Sequence, residues 1–212
     1  MTVSLRRWGK RNLRSFPWRK PGYKPFEILI TEVLLTRTRA EAVAQVAPRI
    51  LSAYPSPASL NCAQPERLEA LVRPLGLYKK RGSALRRLSG DLMANHGGHV
   101  PRDSASLQGL PGVGRYAANA TACFAFKARV PIVDSNVARV LRRYFRLRPP
   151  QSRLATDAEY WNRAARILPK SRDVRLHNWS LLDLGALICK PRNPDCEVCP
   201  LSEKCSMRQE FA

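Results

Sequence analysis

The chain has 212 residues and a large excess of basic side chains, with 37 Lys and Arg against 16 Asp and Glu and a formal net charge of +21. This length allows one large or two small domains. The charge predicts a polyanionic partner bound in a salt-sensitive way: nucleic acid or, as alternatives, a membrane surface or a ribosome. No run of about 18 apolar residues exists, which excludes a membrane-spanning helix. The N-terminus lacks an apolar signal core, so we expect a cytoplasmic protein.

Apolar residues recur at helical spacing along most of the chain, and no segment alternates as a strand does. Turns rich in Pro and Gly separate these segments. The pattern predicts an all-α fold of nine or ten helices joined by short loops. The predicted helices cover residues 1–16, 23–35, 40–54, 65–72, 79–95, 117–125, 160–168 and 174–188, and another begins near residue 134.

A glycine-rich turn of sequence LPGVGRY, residues 110–116, precedes the helix at 117–125. Gly112 and Gly114 permit positive φ angles and close approach of a ligand to the backbone. The amides of the turn and of the helix start then point outward, where a phosphate can accept their hydrogen bonds. An ordinary connection between two helices is the alternative interpretation.

Two carboxylates lie in apolar surroundings. Asp134 follows three apolar residues in the segment PIVDSNV, at the start of a helix, where an N-cap is the simplest interpretation. Glu32 lies in the apolar helix predicted for residues 23–35. A lone Glu is expensive to bury there, so it belongs either to a functional site or to an exposed edge.

Four cysteines near the C-terminus have the spacing C-x6-C-x2-C-x5-C. They are Cys189, Cys196, Cys199 and Cys205. Disulfides are disfavoured if the protein is cytoplasmic, whereas a zinc ion and an iron–sulfur cluster both suit four thiolates. Cys62 and Cys123 lie outside this pattern and are predicted to be small core residues.

The stretch from residue 110 to 144 resembles the helix-hairpin-helix DNA glycosylase superfamily of endonuclease III-like and MutY-like enzymes. Its LPGVG turn and its V-D-x-N-V-x-R-V segment match the motifs of that family, and the cysteine spacing matches its [4Fe–4S] loop. The resemblance implies two helical domains with the active site in the cleft between them. One is a six-helix domain, residues 21–128, ending in the hairpin. The other combines residues 1–20 and 129–212 and carries the cluster loop at 189–205, so the four cysteines are expected to bind a [4Fe–4S] cluster rather than zinc.

The resemblance also assigns roles to both carboxylates. Such enzymes extrude a nucleotide into a pocket, and Asp134 would stabilise the positive charge that develops on the sugar. We expect a positively charged, partly buried surround to keep Asp134 ionised. Asn136 would orient this carboxylate or the attacking water, unless it only makes a hydrogen bond at the helix start. Glu32 matches the MutY-branch Glu that protonates the base and activates water.

Tyr116 stands where the endonuclease III-like enzymes carry the lysine that forms a Schiff base with the sugar. A phenol cannot form that bond. The resemblance therefore implies a monofunctional glycosylase that leaves an abasic site. Tyr116 would pack against or hydrogen-bond to the flipped base, and a core position at a helix start is the alternative.

The choice of base rests on local resemblance. The segment ILITEVLL at 28–35, Pro101-Arg102 and RRYF at 142–145 resemble the archaeal mismatch-specific thymine glycosylases. Trp179 stands where the MutY branch has the Gln that recognises adenine, and only seven residues follow Cys205, where that branch carries another domain. We expect removal of thymine or uracil mispaired with guanine. Alternatives are adenine removal opposite guanine or 8-oxoguanine, a non-catalytic DNA-binding role, and core packing for Trp179.

By position in the family, Arg37 would insert beside the orphaned guanine and Leu77 would wedge the duplex open. A solvated arginine and a capped helix end are the alternatives. The hairpin backbone would also hold a monovalent cation shared with a phosphate. Other residues expected to bind DNA are Tyr78, Gly112, Gly114 and Arg115. The expected partner is double-stranded DNA with a mispaired or damaged base, bound in the nucleoid by a monomer that has no membrane contact.

Overall fold

The computed structural model describes residues 1–151, 153–170 and 174–209, in which all regular elements are helical. The predicted all-α class is therefore confirmed. No helix in this part of the chain is long and apolar enough to cross a membrane. The α-helices are α1 (Thr2–Asn12), α2 (Pro25–Leu35), α3 (Ala40–Ala53), α4 (Pro57–Asn61), α5 (Pro65–Val72), α6 (Tyr78–His96), α7 (Ser104–Gly109), α8 (Arg115–Phe126), α9 (Ser135–Phe145), α10 (Ala158–Arg166), α11 (Val174–Leu187) and α12 (Ser206–Gln209).

The chain divides into two compact units, a terminal unit of residues 1–14 with 127–212 and a central unit of residues 15–126. Our predicted boundaries assigned residues 15–20 to the other unit. These residues instead pack within the central unit, because Phe16 and Trp18 are buried and stack with ring centroids 4.7 Å apart. The 3₁₀ turn Pro17–Arg19 that contains Trp18 also contacts α2.

Helices α2 and α8 form much of the core of the central unit. Helix α8 has the sequence RYAANATACFAF, and the small residues between 117 and 123 let it be buried along most of its length. It packs against α2 and α7, while α2 also packs against α3. The buried residues of α2 include Glu32, which is only 1% exposed, so the alternative of an exposed edge for this carboxylate is wrong.

In the terminal unit, α1 packs closely along α11 and α9 packs against α11, α10 and α12. Gly9 permits the close approach, since a Cβ at this position would lie 1.9 Å from the Ser180 hydroxyl oxygen. Helix α1 ends at Asn12, whereas the sequence predicts a helix that continues to residue 16. The chain leaves the helix because the Arg14 amide and Nε both donate to the buried Asp183 carboxylate, at 2.9 and 2.8 Å.

Three short helices, α4, α7 and α12, were not predicted as separate elements. Helix α4 has only five residues and begins at Pro57, within a proline-rich stretch between two predicted helices. Ser56 caps it by accepting from the Ser59 amide at 3.2 Å. Cys62 ends this helix and is exposed, so its predicted core position is wrong, whereas Cys123 is fully buried in α8.

Candidate functional site

Asp134 is held at the N-terminus of α9 by two hydrogen bonds, one to each carboxylate oxygen. Its Oδ1 accepts from the Val137 amide at 2.7 Å, which is the bond of a helix N-cap. Its Oδ2 accepts from the Asn136 side-chain amide at 3.0 Å. The capping interaction thus occurs together with a second contact that fixes the carboxylate plane.

Arg139 extends this arrangement into a chain that we call the carboxylate network: Asp134, Asn136 and Arg139. The Asn136 amide oxygen accepts from Arg139 Nη2 at 2.8 Å. The same guanidinium donates to the backbone carbonyls of Gly185 at 2.6 Å and Cys189 at 2.7 Å. The orientation of the carboxylate is therefore tied to the end of α11 and to the cysteine-rich segment that follows it.

Gly185 lets α11 approach the start of α9. A Cβ at residue 185 would lie 2.7 Å from the Asn136 Cβ and 2.9 Å from the Asn136 carbonyl oxygen. Such distances are too short for any side chain, so a larger residue would displace the helix start that carries Asp134. Close helix packing thereby positions the carboxylate network as much as its hydrogen bonds do.

The Asp134 carboxyl group is largely surrounded by protein, and this desolvation raises its pKa above the usual value. The hydrogen bonds from Val137 and Asn136 and the charge of Arg139 act in the opposite direction but do not prevail. The direction of this shift leaves our expectation that Asp134 is ionised as a prediction. The Arg139 guanidinium lowers the pKa by its charge, although it contacts Asn136 rather than the carboxylate itself.

Four half-buried thiols lie in the segment after α11, and none of them is in a disulfide. Arg143, one turn after Arg139 on α9, donates to the Cys189 Sγ at 3.4 Å and to the Lys190 carbonyl at 2.6 Å. Near the end of the segment, the Ser206 hydroxyl donates to the Tyr144 carbonyl at 3.0 Å. Helix α9 thus holds both ends of the cysteine-rich segment.

The chemistry of these thiols fits a cluster of iron ions. Burial and the neighbouring Cys189, Cys205 and Cys196 raise the pKa of Cys199 to about 11. Thiols that disfavour each other's ionisation in this way are stabilised as thiolates when they bind cations. Within residues 1–151, 153–170 and 174–209, no three His, Cys, Asp or Glu side chains are arranged as a group for a metal ion. The assignment of a cofactor therefore rests on thiol chemistry and on the family.

The hairpin and two further candidate residues belong to the central unit. Gly112 has a φ of 78°, and a Cβ on Gly114 would meet no atom within 4 Å, so the space beside this turn is open. The first intrahelical hydrogen bond of α8 runs from the Ala118 amide to the Gly114 carbonyl at 3.0 Å. The first-turn amides of α8 therefore point back toward the glycine turn. Tyr116 is half-buried in that first turn.

Arg37 and Leu77 lie on two loops of the central unit and are both exposed, Leu77 to 69%. Both have left-handed backbone conformations, with φ angles of 57° and 49°. Tyr78 begins α6 and is half-buried under the Arg73 guanidinium, 5.2 Å from its ring centroid. In the terminal unit, the half-buried Trp179 likewise lies under the Arg175 guanidinium, at 5.7 Å.

Residues 30–166 match the family described as the HhH-GPD superfamily of base excision DNA repair proteins. The chain belongs to this superfamily. Residues 189–205 match the iron–sulfur binding domain of endonuclease III. These bounds coincide with the first and the last cysteine of the pattern. The cofactor of the protein is therefore a [4Fe–4S] cluster.

Three similar proteins illustrate the range of the family. The thymine/uracil-DNA glycosylase of Pyrobaculum aerophilum is 35% identical, over 93% of this chain and 84% of its own length. An adenine DNA glycosylase of Mycobacterium tuberculosis is 34% identical, over 94% of this chain and 65% of its own. The solved structure of a thermostable thymine-DNA glycosylase superimposes with a TM-score of 0.91 at 32% identity, over 99% of this chain and 95% of that one. The chain is thus a DNA glycosylase of base excision repair, with DNA as its partner.

Several residues that support the site of the glycosylase were missed in the sequence. Arg139 and Arg143 contact carbonyls that are 46 to 50 residues away, which no local spacing reveals. Their separation of four residues, which places both on one face of α9, was the available signal. Gly185 gave no such signal in the sequence, because its role depends on tertiary contacts.

Proposed function

We propose that this glycosylase is monofunctional and removes thymine or uracil mispaired with guanine, leaving an abasic site. The observation that carries the proposal is the support of Asp134, a desolvated carboxylate fixed through Val137 and Asn136. Cleavage of an N-glycosidic bond builds positive charge on the sugar. A carboxylate held in a fixed orientation away from water stabilises such a charge more strongly than a mobile one in solvent.

In the proposed reaction, the nucleotide leaves the duplex and enters a pocket of the enzyme. Asp134 of the terminal unit faces the sugar, and Asn136 keeps its carboxylate in position. Glu32 of the central unit protonates the departing base or activates the attacking water. The 1% exposure of Glu32 supports this assignment, because burying a carboxylate is costly and functional sites are where such perturbed groups cluster.

Tyr116 is the basis for proposing a monofunctional enzyme. It occupies the first turn of α8, directly after the hairpin, where a lysine would act as the nucleophile in a glycosylase that also cuts the strand. A phenol cannot form a Schiff base, so cleavage by β-elimination has no amine to start it at this position. We propose that Tyr116 instead packs against the flipped base.

The chain's similarity to a thymine/uracil-DNA glycosylase supports the choice of pyrimidines mispaired with guanine. The alternative is removal of adenine opposite guanine or 8-oxoguanine, and the adenine DNA glycosylase at 34% identity favours it. Trp179 bears on this choice, because a half-buried indole under the Arg175 guanidinium presents a large apolar surface in place of an amide. An amide can read adenine through two hydrogen bonds, whereas an indole cannot.

We further propose Cys189, Cys196, Cys199 and Cys205 as the four cluster ligands, and the hairpin backbone as the site of a monovalent cation and a DNA phosphate. The open space beside Gly114 supports the phosphate site. Gly112 and Arg115 would contribute to it. We propose that the enzyme acts as a monomer on DNA in the cytoplasm, associated with the nucleoid. Its net charge of +21 supports the binding to DNA.

A panel of duplexes tests the proposal. End-labelled duplexes with G·T, G·U, A·G and A·8-oxoguanine pairs are incubated with excess holoenzyme, and each reaction is divided into halves with and without alkali. We expect alkali-dependent strand breaks at the thymine of G·T or the uracil of G·U. Matched duplexes measure the background.

Each other result has a definite meaning. Breaks without alkali would exclude a monofunctional enzyme and overturn the role of Tyr116. Breaks at adenine alone would establish the alternative substrate. Binding to the mispaired duplexes without any breaks would leave only a DNA-binding role.

A further inference from the structure

Two loops of the central unit turn through left-handed residues that are not glycine. Arg37 has a φ of 57° in the loop between α2 and α3. Leu77 has a φ of 49° and follows Gly76, whose φ is 72°, directly before α6. We call these two segments, residues 36–39 and 76–77, the left-handed loops. Such a conformation is unfavourable for a residue with a Cβ, so it persists only where the surrounding structure holds it in place.

A single side chain, Arg81, binds both left-handed loops. Its Nε donates to the Gly76 carbonyl at 3.0 Å. Its Nη2 donates to the Thr38 hydroxyl at 2.7 Å, and its Nη1 makes a longer contact of 3.5 Å with the Leu34 carbonyl at the end of α2. One guanidinium therefore joins the residue before Leu77 to the residue after Arg37.

The contact at Thr38 extends to the other side of Arg37. The Thr38 hydroxyl, which accepts from Arg81, donates in turn to the Thr36 carbonyl at 3.3 Å. The Arg81 backbone amide also donates to the Leu77 carbonyl at 2.9 Å. Arg81 thus contacts the Thr38 side chain after Arg37 and, through it, the Thr36 carbonyl before Arg37, while its own amide binds Leu77.

The geometry requires an arginine. Its planar guanidinium presents five N–H donors in fixed directions, so it can bind several acceptors on two loops at once. A lysine ammonium is a point charge on a flexible stem and cannot hold the same acceptors in a fixed relation. Arg81 is half-buried at this position, so its hydrogen bonds are partly shielded from competition with water.

We propose that Arg81 is a positioning residue that couples the two left-handed loops, so that Arg37 and Leu77 enter a DNA duplex together rather than independently. This inference rests on the proposed function, in which these two side chains hold the duplex open. The coupling would matter because each loop is strained and exposed, so neither can keep its conformation against a duplex without support from the other.

Double-mutant cycles measure such a coupling without any catalysis. The holoenzyme is titrated with a duplex containing a stable abasic-site analogue, and Kd is measured for Arg37→Ala, Leu77→Ala and the double variant. A 2-aminopurine opposite the analogue reports whether the duplex is opened. The cycle is repeated in the backgrounds Arg81→Ala, Arg81→Lys, Thr38→Val and Thr38→Ser.

In the wild-type background we expect the two substitutions to be non-multiplicative by roughly threefold or more, within the range for residues in one network. In Arg81→Ala and Arg81→Lys their effects should simply multiply, and the 2-aminopurine signal should fall. Thr38→Val removes the acceptor while preserving shape, so it should lower the coupling. Thr38→Ser retains the hydroxyl and should restore it.

Arg87→Ala is the matched control, because it removes a different arginine of α6, one that is exposed, without touching either loop. It should leave the coupling unchanged. The inference is wrong if the wild-type protein shows no coupling, or if the coupling persists in folded Arg81→Ala. If Arg81→Ala does not fold, the difference between Thr38→Val and Thr38→Ser decides. Coupling without base release from any mispair would refute the proposed function and leave the role of Arg81 intact.

Discussion

The two units hold their candidate functional side chains in opposite ways. In the terminal unit, Asp134 is bound at both oxygens and tied through Asn136 and Arg139 to backbone carbonyls of a neighbouring helix. In the central unit, Arg37 and Leu77 extend from strained loops into solvent. The first arrangement fixes an atom, whereas the second fixes a backbone and leaves the side chain exposed.

This difference corresponds to the two tasks of the proposed reaction. A group that stabilises charge on one sugar atom gains from a fixed, desolvated position, because no reorganisation is then needed as the bond breaks. A side chain that enters a duplex must first meet DNA and so has to be exposed. Changes to the carboxylate network should therefore lower the rate of the chemical step, and changes to the left-handed loops should weaken DNA binding.

The largest effect is expected from Asp134→Asn. We expect base release under single-turnover conditions to fall by about 10³-fold, because the charge is removed from a preorganised site. DNA affinity should stay within about twofold of the wild type, since a loss of one charge from the chemical site changes few phosphate contacts. Asp157→Asn is the matched control, because Asp157 caps α10 by accepting from the Glu159 amide at 3.1 Å. Equal activity of the two Asn variants would remove Asp134 from the proposed mechanism.

Arg139→Ala should have the next largest effect, a decrease of about 10- to 100-fold in the single-turnover rate, as is usual when an outer-shell partner is lost. Asn136 then loses the donor to its amide oxygen, so the carboxylate keeps its charge but not its orientation. Arg142→Ala removes a neighbouring charge from the exposed side of α9 and serves as the control. If Arg139→Ala changed the Kd for DNA strongly and left the rate unchanged, the carboxylate network would act in DNA binding rather than in the chemical step.

Long amphipathic segments made most of the fold predictable. The bounds of α3, α5, α6 and α11 fall within two residues of the predicted ones, because each has enough turns for an apolar face to be recognised. Helix α4 was not predicted because a helix of five residues is too short to show a periodic apolar pattern. The end of α1 was missed because its cause, the binding of Arg14 to Asp183, joins residues 169 positions apart.

The candidate site residues could be proposed from the sequence, but the contacts that support them could not. Motif spacing indicated Asp134 and the four cysteines as candidates, because the residues within each motif are close together in the sequence. The raised pKa of Asp134 was not foreseen, because desolvation depends on what surrounds a group in three dimensions, not on the net charge of the chain. Arg81 was missed for the same reason, since its acceptors lie up to 47 residues away.

Gly185→Ala tests whether helix packing positions Asp134, because this substitution removes no polar group. Its Cβ would lie 2.7 Å from the Asn136 Cβ, so the start of α9 must shift, at a strain of about 1–3 kcal/mol. We expect about a tenfold loss of single-turnover rate, because a small displacement of a preorganised group is costly. Gly109→Ala, where a Cβ would meet nothing within 4 Å, should leave the rate unchanged. A rate that is insensitive to Gly185→Ala would mean that helix packing does not position Asp134.

The smallest effect concerns stability as a function of pH. Desolvation raises the pKa of folded Asp134 above the value of about 3.9 of an unfolded aspartate. Below both values the group is neutral in both states and the folded state bears no penalty. As pH rises from the unfolded pKa through the folded pKa, the unfolded chain ionises before the folded one and stability is lost, by about 1.4 kcal/mol for each unit of pKa shift. Asparagine has no charge to form and caps a helix equally well.

We therefore expect the Tm of Asp134→Asn to equal that of the wild type below the unfolded pKa, to exceed it as pH rises toward the folded pKa, and to level off above it, by a few degrees for each kcal/mol. Calorimetry of both holoenzymes across this range measures the difference. Asp157→Asn is the control for a general effect of removing an N-cap carboxylate, and its Tm difference should lack this rise. A difference for Asp134→Asn that shrinks as pH rises would mean that the carboxylate stabilises the fold by its charge. The position of Asp134 would then be explained by stability alone. No functional role would be needed to account for a charged group at this place in the fold.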